Sequence, residues 1–289
     1  MPELPEVEVV KRSLRKKIQN LIIKKVKIHD GNLRYRINEE QIKKLIGKKI
    51  IKIERRSKFL IFKIGNKEIM LIHLGMTGKL FFIDQKNKKF KTSFYYNLNE
   101  TKDNKHNRVT FFLNNKKKLI YNDIRKFGFI KFFDFEKYKN NTHFKNLGPE
   151  PLEKYFNYKY LKDYIFGRNR TIKDLLMDQK CISGLGNIYV NEILFSSGIK
   201  PARKVKKLKN FEIKSIVINT KKILKSAIKL GGSSIKDFSS DDGKKGKFQQ
   251  HFKVYDQIGK QCSNIDCSYK VERIVISNRS SFFCKNCQK

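Results

Sequence analysis

The 289-residue chain has no apolar run longer than a β-strand, and its first residues lack the apolar core of a secretory signal. A membrane-spanning helix needs about 20 consecutive apolar residues, so none is expected; the chain reads as a soluble cytoplasmic protein with no membrane partner. Cysteine is scarce. There are five, four of them within the last 28 residues, a distribution unlike a secreted disulfide framework. Proline is equally scarce, and four of the five prolines fall in two short stretches, Pro2/Pro5 and Pro149/Pro151. Acidic residues are outnumbered, with 27 Asp and Glu against 66 Lys and Arg, a formal net charge of +39. That excess points to a polyanion as partner. It is discounted, because 53 of the basic residues are lysine, and isoleucine, asparagine and phenylalanine are also plentiful. AT-rich coding imposes that skew on any protein.

The length suggests about two domains, each able to bury a core. Apolar positions Val7, Val10, Leu14 and Ile18 recur at helical spacing, so a buried helix begins almost at the first residue. Short runs rich in Ile, Val and Phe follow: 22–28, 48–53, 59–64, 68–74, 79–83, 108–113, 118–122 and 129–133. Their length and turn-like separators predict an antiparallel sandwich or barrel. Residues 39–46 read as a short helix and 115–118 as a hairpin turn. The polar, lysine-rich 84–107 reads as a solvated loop rather than a strand. Gly148-Pro149-Glu150-Pro151 breaks the pattern. Beyond it the period turns helical, over 158–166, 172–177, 188–196 and 211–230. The polar stretch from Gly231 to about Gln250 is expected to be either disordered or a functional lid.

The strongest local signal is the tail. Cys262 and Cys267 form a C-x₄-C pair and Cys284 and Cys287 a C-x₂-C pair, with sixteen residues between. Two short-range thiolate pairs are what tetrahedral zinc requires, and the intervening apolar residues suit a β-hairpin. The alternative, two disulfides, is disfavoured in a cytoplasmic protein. One zinc ion is expected, structural because four thiolates leave no position for water. Cys181 is left over as a small buried apolar residue.

The opening Met1-Pro2-Glu3-Leu4-Pro5-Glu6-Val7-Glu8 has two readings. A helix start accounts for Pro5, Glu6 and Glu8, since proline suits a first turn and carboxylates suit its positive end. It does not account for Pro2 and Glu3. Removal of Met1 would expose the secondary amine of Pro2 beside a carboxylate. An α-amine has a reference pKa of about 7.7–8.0 against about 10.4 for lysine, so near pH 7.5 roughly a third of it is neutral and nucleophilic. Such an amine can form a Schiff base with a sugar carbon. Elsewhere, Ile182-Ser183-Gly184-Leu185-Gly186-Asn187 is either a phosphate-binding turn at a helix start or an ordinary corner. Two glycine-flanked turns, His73–Gly78 and Asn122–Gly128, each present a large side chain. Met76 and Phe127 there are either core covers or wedges between base steps.

Together these stretches resemble the bacterial formamidopyrimidine-DNA glycosylases. The resemblance runs nearly end to end, through MPELPEVE, RRSKFLIF, HLGMTGKL, NDIRKFG, LGPEPL, TIKDLLMDQ, ISGLGNIYVNEILF, GGSSIKDF, FQQHFKVY and SNRSSFFCKNCQK. It implies an α+β fold: an N-terminal helix with a two-layer antiparallel β-sandwich, a helix–two-turn–helix domain, and a C-terminal β-hairpin zinc finger. The corresponding boundaries are 1–135, a linker 136–155, 156–255 and 256–289. The implied activity is excision of oxidised purines from duplex DNA followed by strand cleavage, by a monomer whose partner is damaged double-stranded DNA. By resemblance Pro2 is the nucleophile, Glu3 the acid/base at the sugar, and Glu6 the residue that orients the N-terminus. Lys58 lies near the lesion and its phosphates. Met76, Arg125 and Phe127 fill the gap left by the everted nucleotide; Lys173, Asn187 and Arg279 contact backbone phosphates. The loop after Gly231 corresponds to a segment that closes over the everted base. The chain departs from the family at Ser57, where glycine is usual and the pose of Lys58 is at stake. It also departs at Lys126, usually arginine, at the length of 84–107, and at Thr77, a variable position beside Met76. The related endonuclease VIII type, which prefers oxidised pyrimidines, is disfavoured by Leu4 and by the Met76/Arg125/Phe127 set. A lesion-binding protein without catalysis would have no use for a free Pro2 amine.

Overall fold

The computed structural model describes residues 1–84, 89–91, 104–233 and 248–289. The chain divides into two compact units. One is Met1–Lys145, which the chain rejoins at Gly231; the other comprises Asn146–Leu230 and Phe248–Lys289.

The first unit opens with α1 (Leu4–Ile18), followed by β1 (Ile23–Ile28), the short α2 (Glu39–Lys43), β2 (Ile50–Arg56), β3 (Phe59–Ile64), β4 (Glu68–His73) and β5 (Lys79–Ile83). Then come β6 (Lys89–Lys91), β7 (Asn107–Leu113), β8 (Lys118–Asn122) and β9 (Phe129–Asp134). The strands form two antiparallel sheets, ordered β1-β7-β8-β5-β6 and β2-β3-β4-β9. Alternation along the strands explains the layering. Leu60, Phe62, Met70 and Ile72 join Leu80, Phe82, Phe111 and Tyr121 of the other sheet in one core, which Val7, Val10, Leu14 and Ile18 of α1 complete. The opposite faces of β3 and β4 are also covered, with Ile61, Ile69 and Leu71 packing on Phe129 and Tyr138. The predicted sandwich is therefore present, with a helix closing its core.

The β7–β8 turn holds Asn115 and Lys116 at φ +57° and +54°, both left-handed, as a tight hairpin turn whose twist matches that of its strands requires. The expectation of a loop over 84–107 needs correction at one point. β6 pairs with β5 in register Phe82↔Phe90, extending a sheet that would otherwise end at β5. Residues 85–88 and 92–103 of that segment lie outside the described residues, as do 234–247 of the expected lid.

The second unit contains α3 (Tyr158–Ile165), α4 (Ile172–Met177), α5 (Asn187–Ser196) and α6 (Asn210–Lys229), then the hairpin β10 (Val271–Ile276) and β11 (Arg279–Cys284). Every position of α5 from Ile188 to Phe195 is buried, so it is the central helix of the unit. Among the described residues no helix is long and apolar enough to cross a membrane. Within α5 the Glu192 carboxylate, 3% exposed, accepts backbone N–H groups from Lys253, Val254 and Tyr255 at 2.9, 3.0 and 2.8 Å. Burial pushes its pKa up and the three donors oppose that shift. This carboxylate fixes the chain on its way to the hairpin.

Glu192→Gln would keep the shape and replace one acceptor oxygen by an NH₂ group facing an N–H donor. The expected loss is about 1–3 kcal/mol of stability for the stranded donor, read as a lower urea midpoint at unchanged slope.

Candidate active site

The start of α1 is built as a socket for the residues before it. Pro5 lies in the first turn, where its missing N–H costs no helix bond. Glu3 occupies the N-cap, and its N–H donates to Glu6 Oε2 at 2.9 Å. The other oxygen, Glu6 Oε1, accepts the Ser233 N–H at 2.8 Å and its hydroxyl at 3.1 Å. Pro2 is buried, and Glu3 and Glu6 are 3% and 1% exposed. Gly232, at φ +82°, makes the close approach possible, since a Cβ there would lie 3.0 Å from Glu6 Oε1. Glu3 and Glu6 thus stand at the head of a helix whose other end is anchored in the core.

One turn further along α1, Glu8 receives Lys11 at 2.6 Å, Arg12 at 2.8 Å and Arg55 at 3.1 Å. Burial raises the pKa of this carboxyl, but the two side-chain hydrogen bonds and the Arg55 charge outweigh that and hold it below its usual value. Arg55 also donates to the Ser57 carbonyl at 2.8 Å. It therefore ties α1 to the β2–β3 turn that carries Lys58. Ser57 sits at φ +55°, a region where a residue with a Cβ costs about 1–2 kcal/mol and glycine does not. The turn keeps its left-handed form despite the serine. Lys58 is 7% exposed. Its charge acts on His73, whose pKa is pushed down to about 4 by burial first, then by Lys58, Arg34 and His143. His73 is neutral at physiological pH, stacks on Phe129 at 5.3 Å, and its Nδ1 accepts the Gly75 N–H at 3.2 Å.

Two turns of this unit meet. A Cβ on Gly75, at φ +60°, would lie 2.4 Å from Gly128 N, and one on Gly128 would lie 2.6 Å from His73 O. Only glycine fits either place. The fully buried Asp123 locks the pair: it accepts from the Thr77 hydroxyl, from Gly128 N–H at 2.8 Å and from the Tyr121 hydroxyl at 3.3 Å. Thr77 in turn accepts the Arg125 N–H at 3.0 Å. On this frame Met76, Ile124 and Phe127 stay 40%, 40% and 46% exposed, and the exposed Arg125 lies 4.5 Å over the Phe127 ring. Lys126 pairs with Asp30 at 2.9 Å, joined there by Arg108 at 2.6 Å. Apolar side chains held out on a rigid polar frame suit insertion rather than packing.

In the second unit Lys173 and Asn187 meet at one carbonyl, that of Ser280, the residue after Arg279. Lys173 Nζ donates to Ser280 O at 2.7 Å and Ser281 Oγ at 2.6 Å, and Asn187 Nδ2 donates to Ser280 O at 3.0 Å. Arg279 is exposed beside them. Lys173, expected to offer its ammonium to a phosphate, is 1% exposed and braces the turn that presents Arg279. The glycine turn before α5 is stapled by Gln179, which accepts the Gly184 N–H at 2.8 Å and donates to Leu185 O at 2.8 Å. Gly186 stands at the N-cap of α5 and contributes no capping side chain.

The four tail thiols converge, with all sulfurs within 4.8 Å of one another. Cys262–Cys287 and Cys267–Cys284 are 3.7 and 3.6 Å apart. A tetrahedron with metal–sulfur bonds of about 2.3 Å has edges near 3.8 Å, so the set fits one metal ion. Gln288 fixes the module, accepting Cys284 N–H at 2.9 Å and donating to Ile199 O at 2.7 Å.

Four contributors escaped the sequence reading. Ser233 and Asp123 act through contacts distant in sequence, Arg55 reads as one more surface cation, and Thr77 falls at a position taken as variable. Only Gly75 and Gly128, as turn glycines next to strands, gave a local hint of the close approach.

The profile of the formamidopyrimidine-DNA glycosylase N-terminal domain matches residues 1–130, and that of the formamidopyrimidine-DNA glycosylase H2TH domain matches residues 147–239. The formamidopyrimidine-DNA glycosylase of Rickettsia bellii is 39% identical over the whole of both chains, and that of Roseobacter denitrificans 35%. Among solved structures, a mutant Lactococcus lactis enzyme in complex with Fapy-dG-containing DNA superposes with TM-score 0.85 at 33% identity, covering both chains completely. The same enzyme with DNA containing an abasic site matches equally well over 99% of each chain.

Gly75→Ala should cost about 2–4 kcal/mol, combining left-handed strain with overpacking against Gly128. Gly47→Ala is the control, because Gly47 shares a positive φ (+84°) but has nothing within 4 Å of an added Cβ. It should cost only about 1 kcal/mol. Urea unfolding of the two variants measures the difference; equal losses would mean that the two turns are not in contact.

Proposed function

The chain belongs to the formamidopyrimidine-DNA glycosylase family, and on that premise we propose that it excises oxidised purines from duplex DNA and cuts the strand at the resulting site. The substrates are 8-oxoguanine and ring-opened formamidopyrimidines, and the protein acts as a monomer. The observation that carries this reading is the buried Pro2-Glu3 pair at the head of α1, with Glu6 holding the Glu3 N–H on one oxygen and the Ser233 N–H on the other.

With Met1 removed, the neutral Pro2 nitrogen attacks C1′ of the damaged nucleotide. A C1′–N bond forms, and the base leaves with the electrons of its glycosidic bond and the proton that the Pro2 nitrogen gives up. The sugar ring opens as O4′ takes a proton from Glu3. Proline is a secondary amine, so the resulting iminium has no N–H to lose and stays cationic at any pH. That charge acidifies the C2′ hydrogen; its loss expels the 3′-phosphate, and a second elimination across C4′ expels the 5′-phosphate. Lys58, on the turn tied to α1 by Arg55, supplies a cation for the phosphates flanking the lesion.

The nucleotide must leave the stack, at a cost of a few kcal/mol. Met76, Arg125 and Phe127 occupy the vacated space and offset it. Asn187 and Arg279 hold backbone phosphates, which position the duplex without reading its sequence, and Lys173 keeps their turn in place. The metal fitting Cys262, Cys267, Cys284 and Cys287 is zinc; with four thiolate ligands it is closed to water and supplies only the fold of the hairpin.

The test is reduction with borohydride during incubation with an oligonucleotide carrying 8-oxoguanine opposite cytosine. A covalent adduct on Pro2 is expected, and none with a Pro2→Gly variant retaining Met1. An adduct that survives blocking of the α-amine would remove Pro2 from the mechanism. Faster trapping on thymine glycol than on 8-oxoguanine would overturn the purine assignment.

A further inference from the structure

A surface cavity of about 590 Å³ lies in the first unit, bordered by α1, β2 and the chain around 138–144. Its size is within the range of pockets that hold drug-sized ligands. Lys11 and Arg55 apart, none of its lining takes part in the site described above. Six of the lining residues are cations: Lys11, Arg15, Lys52, Arg55, Arg56 and Lys139. One is a carboxylate, Glu54, and it is already engaged by Lys52 at 2.6 Å and Lys63 at 3.1 Å. Glu8 engages Lys11 and Arg55. Arg15 and Lys139 are exposed and have no carboxylate partner among the described residues. The same cavity has an aromatic wall, formed by Tyr138 and Phe144, whose rings meet edge to face at 6.1 Å and 89°. Phe144 is held from behind by Phe59 at 5.5 Å.

Surplus cations around a fixed aromatic wall are complementary to one ligand chemistry, a phosphate joined to a flat ring. Guanidinium and ammonium groups bind phosphate, and a base gains about 1–3 kcal/mol by stacking on an aromatic side chain. We propose that this cavity is a nucleotide-binding site, with the phosphate on Arg15 and Lys139 and the base against Phe144. The nucleotide is either free or the 5′-terminal residue of a strand. The site stands independently of the catalytic reading.

The test is calorimetric titration of the full-length protein with 2′-deoxyadenosine 5′-monophosphate, with deoxyadenosine, inorganic phosphate and a 5′-phosphorylated trinucleotide as separate arms. Saturable one-to-one binding of the mononucleotide is expected, at least about tenfold tighter than the nucleoside or phosphate alone. The double variant Arg15→Glu/Lys139→Glu should weaken it at least about tenfold. Phe144→Leu keeps every charge and should weaken the nucleotide while leaving phosphate unchanged. A trinucleotide that binds more tightly than the mononucleotide marks a strand end as the source; equal affinity marks the free nucleotide. Absence of saturable binding, unchanged affinity in the double variant, or phosphate binding as tightly as the nucleotide would each overturn the proposal.

Discussion

The Glu6 carboxylate takes hydrogen bonds from two points 230 residues apart in sequence: the Glu3 N–H at 2.9 Å on one oxygen, and the Ser233 N–H at 2.8 Å and hydroxyl at 3.1 Å on the other. A carboxylate 1% exposed must have its oxygens satisfied, or burying it is prohibitive. Because both neighbours meet that need, neither the first residues nor the chain at Ser233 can drift without stranding it. The usual freedom of a terminus is removed at the place where the proposed reaction needs an amine held still. Downstream, α1 transmits this order: its apolar face lies in the sandwich core, and Glu8 and Arg55 link it to the turn bearing Lys58.

The same logic, in which buried polar groups hold exposed functional ones, recurs elsewhere. Asp123 is fully buried and fixes the two turns from which Met76, Arg125 and Phe127 emerge. Lys173 is buried and fixes the turn that presents Arg279. Glu192 gathers three N–H groups and fixes the approach to the thiolate hairpin. In each case a charged side chain acts on the backbone behind the residue that would touch a ligand.

Much of this architecture was legible in the sequence. The strands Phe59–Ile64, Lys79–Ile83 and Lys118–Asn122 and the helix Ile172–Met177 fall where their periodicity predicts, because local preference and burial agree there. The thiolate cluster followed from spacing alone, since each cysteine pair sits on a short turn. β6 did not, as its lysine-rich segment carries no strand pattern and its pairing is imposed by the edge of β5. Nor did the partners of Glu6 and Asp123, because one sequence holds no record of which distant residues meet. The burial of Lys173 was hidden for a related reason. Charge type in a sequence does not reveal burial, and this ammonium donates to Ser280 O and Ser281 Oγ.

The central claim is that Glu6 acts by position, holding Pro2 and Glu3 where the sugar would arrive. Glu6→Gln keeps the size of the side chain and replaces one of its two acceptor oxygens with a donor. The direct measurement is the single-turnover rate of borohydride-trapped adduct formation on 8-oxoguanine duplex, alongside affinity for undamaged duplex. Loss of a charge-assisted hydrogen bond worth about 1.5–3 kcal/mol should slow trapping by about tenfold or more while duplex affinity stays within about twofold. An unchanged trapping rate in a folded Glu6→Gln protein would contradict the account.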